Sequence, residues 1–61
     1  MKKSELRSIA QQIVDAQKII NRDENQEEVA KAQEKIIYLT DLLSFEDIFA
    51  VDEIITDLLD F

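Results

Sequence analysis

The sequence contains no cysteine, histidine, glycine, proline or tryptophan among its 61 residues. Without cysteine there is no disulfide, thiolate nucleophile or thiolate–zinc site, and without histidine there is no imidazole base or ligand. Without glycine and proline, hairpin dipeptides such as Asn-Gly are missing, and turns that need a positive φ are not expected. Alternation of apolar and polar residues with period two occurs nowhere over a useful length, so strands are not expected either. No apolar run approaches the ~20 residues needed to span a bilayer. The opening MKKSELRSIAQQ carries charge but lacks the apolar stretch of a secretory signal. The expectation is a cytoplasmic protein with no membrane partner, which agrees with the lack of cysteine.

Basic residues are also missing from the second half of the chain. Residues 1–35 hold seven bases and seven acids, which cancel, whereas residues 36–61 hold Asp41, Glu46, Asp47, Asp52, Glu53, Asp57 and Asp60 with no base. The formal net charge of −7 therefore resides entirely in the carboxyl-terminal part. Such a field repels phosphate backbones and attracts basic protein surfaces.

What the sequence does contain is helical periodicity. Leu6, Ile9, Ile13, Ala16 and Ile20 follow 3-4-3-4 spacing, which places them along one side of a helix. The polar run NRDENQ interrupts this pattern, and Val29, Ala32, Ile36, Leu39 and Leu43 then repeat it. Extending that second register would place Glu46 and Glu53 among the buried positions, at a high desolvation cost. The apolar phase restarts instead as Ile48, Val51, Ile55 and Leu58. Ser44, with Asp47 three residues later, reads as a helix cap at the break. The pattern predicts a single all-α domain over 1–61: an antiparallel helical hairpin (about 4–21 and 26–43) plus a third helix (about 45–60), a three-helix bundle assembling as a dimer. Ser4 is the expected cap of the first helix, and Asn25, with Asp23 as its rival, that of the second. The expected core is Leu6, Ile9, Ile13, Ile20, Val29, Ile36, Leu39, Leu43, Ile48, Ile55 and Leu58.

The third segment raises the functional question. On a wheel of about 100° per residue, the apolar positions of 45–61 sweep an arc of about 240°, against about 120° in each of the first two helices. Glu46, Glu53, Asp57 and Asp60 fill a narrow acidic strip opposite. A helix lying across two neighbours buries about half its circumference, so an apolar surplus remains, and exposed apolar patches mark interfaces. The candidate interface residues are Phe45, Phe49, Ile54, Leu58, Leu59 and Phe61. Symmetric pairing with a second copy is the commonest answer to such a surplus. The rival reading makes the third helix the central helix of a monomer.

Catalysis is not expected, because Ser4, Ser8, Thr40, Ser44 and Thr56 have no histidine base beside them. No cofactor is expected. Asp23, Asn25 and Glu27 alternate as at the start of a calcium loop, with Glu34 at the twelfth position, but Glu28 stands at the sixth, where the sharp turn of such a loop needs glycine. The expectation is a non-catalytic, acidic protein–protein interaction module or regulator, self-associating through its carboxyl-terminal helix. One alternative is an acidic nucleic-acid mimic or inhibitor that occupies the basic groove of a partner. A third reading, a small RNA-binding helical hairpin, has the right layout but lacks a basic face, so a nucleic-acid partner is not expected. Ile55, Leu58 and Leu59 also approximate an LxxLL-type recognition helix, a pattern common to leucine-rich amphipathic helices.

Overall fold

Ser4, expected to cap the first helix, instead lies inside it. In the computed structural model, which describes residues 1–59, three helices account for the regular structure of the described residues: α1 (Lys3–Arg22), α2 (Gln26–Asp41) and α3 (Phe45–Leu59). Lys2 occupies the N-cap position of α1 and makes no side-chain capping bond. The expected end of the third helix at 60, together with Asp60 and Phe61, lies outside the described residues.

The two connections follow the polar residues between the apolar patterns. Asp23 closes α1 in the left-handed region, at φ 50°, and its N–H donates to the Ile19 carbonyl at 3.3 Å. This corrects the expectation that a glycine-free chain avoids positive φ. A short side chain that bonds locally makes aspartate one of the few residues that enter this region at modest cost. Asp23 thus terminates α1 and leaves the capping of α2 to Asn25. The Asn25 side chain accepts from the Glu27 N–H at 3.0 Å, one residue nearer than a bond to Glu28 would be. At the second break, the Asp47 N–H donates to Ser44 Oγ at 3.3 Å. The preceding helix ends two residues earlier than its apolar spacing suggests. Leu42 and Leu43 donate to the Leu39 and Thr40 carbonyls, three residues back, in a tightened last turn.

The packing centre is α1. It packs against both α2 and α3, which make little contact with each other. This explains why α1 has more buried positions than its original stripe. Leu6, Ile9, Ile13 and Ala16 are joined by Ala10, which is 0% exposed, and Val14, and together they span an arc of about 160° on a wheel of about 100° per residue. The apolar core gathers Leu6, Ile9, Ala10 and Ile13 with Leu39, Leu43 and Val51. Val14, outside the original stripe, is buried as well. One expectation is corrected here. Ile48, expected in the core, is 40% exposed, and Val51 is the only fully buried residue of α3. Ile20, Val29, Ile36, Ile55 and Leu58 are half-buried.

Candidate protein-interaction surface

The absence of a neighbour on its far side leaves α3 with three distinct faces. Val51, Ile54, Ile55 and Leu58 turn toward α1 and pack on or form part of the core. Turning the wheel by about 100° per residue brings up Phe45, Ile48, Phe49 and Leu59, with Asp52 and Thr56 among them. Glu46, Glu53 and Asp57 follow as the acidic edge, and all three are exposed. On the middle flank Phe45 is 82% exposed and Phe49 68%, one helical turn apart.

The sequence-predicted interface residues therefore divide. Phe45, Phe49 and Leu59 lie together on the open flank, and Ile48 joins them as a residue that sequence reasoning placed elsewhere. Ile54 and Leu58 instead face α1, where they line a cleft of about 680 Å³ with Asp57, Lys3, Ser4 and Arg7. Phe61 lies outside the described residues. Ile37, Tyr38 and Leu42 of α2 are further large apolar side chains left exposed.

The α1–α3 cleft and a second one show which way the flanks turn. In the second, of about 270 Å³, Asp15, Ala16 and Ile19 of α1 meet Lys31, Ala32 and Lys35 of α2. On the α1 wheel Ala16 and Ile19 lie at or beyond one margin of the buried arc and Lys3 and Arg7 at the other, while Ser4 and Asp15 lie on the back of the helix. The clefts thus mark different sides of α1, and the flanks of α2 and α3 turned away from their own clefts are the inner flanks of the pair. On α2 that inner flank carries Gln26, Val29, Ala30, Gln33, Ile36, Ile37 and Thr40, none of them charged. All the charged residues of α2 (Glu27, Glu28, Lys31, Glu34, Lys35 and Asp41) cluster on the other half of its wheel.

Three hydroxyl groups serve the backbone and a helix cap: Thr40 Oγ1 donates to the Ile36 and Ile37 carbonyls, Thr56 Oγ1 to the Asp52 carbonyl, and Ser44 caps α3, while Ser8 Oγ accepts from the Gln12 side chain. Among the described residues no group of three or more acidic side chains is placed to hold a metal ion. No helix among them is long and apolar enough to cross a membrane. Comparison with known proteins finds no matching family model, curated protein or solved structure.

Proposed function

We propose that the chain is a non-catalytic interaction module, a cytoplasmic regulator in character, which self-associates through the open flank of α3 and keeps its acidic edge at the rim for a basic partner surface. The observation that carries this reading is the pair Phe45 and Phe49, two phenyl rings left largely in water on one flank. Each ring offers about 150–250 Å² for burial. The area of the whole molecule supports the same conclusion. A compact monomer of 7.1 kDa is expected to expose about 4,100 Å² by mass scaling. This chain exposes 4916 Å². The excess reflects the open arrangement, with one flank of α3 left uncovered.

The test is solution mass by light scattering or sedimentation equilibrium, with helicity followed by circular dichroism. Twice the 7.1 kDa chain mass is expected. Phe49→Asp should return the chain to single-copy mass while it stays helical. A wild-type chain that remains a single copy at hundreds of micromolar would refute the reading.

The acidic edge favours a second reading. Glu46, Glu53 and Asp57 form a base-free line on α3, which suits a mimic or inhibitor that fills the basic groove of a nucleic-acid-binding protein. Neutralising Glu53, Asp57 and Asp60 together should abolish capture by such a partner without loss of helicity. Retained binding after that triple change would exclude this reading.

A further inference from the structure

We infer that the second copy docks in a crossed arrangement, the open flank of α3 on each copy lying against the uncharged inner flank of α2 on the other, so that Phe45 and Phe49 seat on the Ala30–Gln33–Ile37 strip. This rests on the self-association reading and specifies its contact.

Three observations lead to it. The first is Asp52, exposed in the middle of the open flank, between Ile48 and Phe45 on the wheel. If α3 packed on its own copy across a two-fold axis, Asp52 would face a second Asp52 or the neighbouring carboxylates, since α3 carries no base. Like charges held together at a water-poor contact are costly. Against α2 the same carboxylate meets Gln33, whose amide can donate to it.

The second observation is charge depletion on α2. Part of the uncharged half of the α2 wheel packs on α1, but the strip beside it, Gln26, Ala30, Gln33 and Ile37, is exposed and still carries no charge. Depletion of charge is the compositional mark of an interface core. The third is shape. Phe45 and Phe49 are large exposed rings on α3, whereas the exposed strip of α2 holds the small Ala30, so the bulk of one copy can lie against the low side of the other. The contact is then isologous: a residue on α3 touches one on α2 of the partner copy, and the reverse holds at the symmetry-related position.

Because the chain has no cysteine, single introduced thiols give an unambiguous readout. The variants Gln33→Cys, Asp52→Cys and Thr56→Cys replace exposed polar residues, and circular dichroism confirms that each folds. Mixing Gln33→Cys with Asp52→Cys, or with Thr56→Cys, under mild oxidation should give a disulfide-linked pair several-fold more abundant than either variant gives alone. Such a bond requires Cα atoms within about 7 Å. If Asp52→Cys alone cross-links most efficiently while the wild-type mass is that of a dimer, α3 packs on α3. The crossed contact is then wrong, but self-association stands. A single-copy mass for the wild type would overturn both.

Discussion

Ser44 Oγ accepts from the Asp47 N–H at 3.3 Å, and this one bond marks where α2 and α3 become separate helices. Residues 26–59 contain no glycine or proline to force a break. The break comes from the apolar phase, which would otherwise carry Glu46 and Glu53 inward, and Ser44 satisfies an N–H group that the new helix leaves free.

Removing that cap should therefore be measurable. Ser44→Ala is expected to cost about 1 kcal/mol, and in a domain of this size such a loss lowers Tm by roughly 4–8 °C. Thermal melts at a fixed chain concentration check it. A melting temperature unchanged within error would mean that the phase change alone holds the break.

Ala10 is the tightest point of the core. It is 0% exposed on the central helix, so added volume has nowhere to go. Ala10→Leu should destabilise by about 1–3 kcal/mol through overpacking. Urea unfolding with an unchanged slope, and a midpoint shifted down, is the expected signature.

The left-handed residue predicts a change of the opposite sign. Asp23 sits at φ 50°, where residues other than glycine carry a steric cost of about 1–2 kcal/mol. Asp23→Gly should leave stability unchanged or raise it by up to about 1 kcal/mol, the greater flexibility of glycine in the unfolded chain offsetting part of the relief. Asp23→Val, β-branched and without a local hydrogen bond, should lower it. Urea midpoints of the two variants check the order.

Self-association should strengthen with salt. Each copy carries a net charge of −7, and pairing brings the two fields together. Screening shortens from about 30 Å at 0.01 M to about 8 Å at 0.15 M ionic strength. Sedimentation over that range should show the dimer fraction rising. A fall would mean that ion pairs between copies hold the contact, contrary to the proposed uncharged strip.

Much of this architecture is legible in the residues. Periodicity gives three helices, the phase break separates α2 from α3, and Ser44 and Asn25 cap as their types suggest. What escapes is the arrangement. A stripe such as Leu6–Ile9–Ile13 shows that α1 buries one side, but it does not show that two helices share α1. The clue lies in Ala10 and Val14, small enough to admit a second backbone close by and too small to stand out on a hydropathy wheel. Once α1 is central, Val14 is covered and Ile48, on the free side of α3, is not. The candidate surface is legible for Phe45, Phe49 and Leu59, whose burial would need a neighbour that α3 lacks. Ile54 and Leu58 have the same apolar character, and only the side on which α1 lies distinguishes them. Ser4 fails as a cap because the helix begins one residue before it, a difference that local composition does not encode.

Because α2 and α3 meet α1 but hardly meet each other, either one can lift from α1 while breaking few contacts between the two. A fluctuation that lifts α3 exposes Val51 and its surroundings yet leaves the α1–α2 hairpin zipped through Ala16, Ala32 and Leu39. Amide protons in the middle of α1 are then released only when both neighbours leave, whereas those of α3 exchange through its own departure.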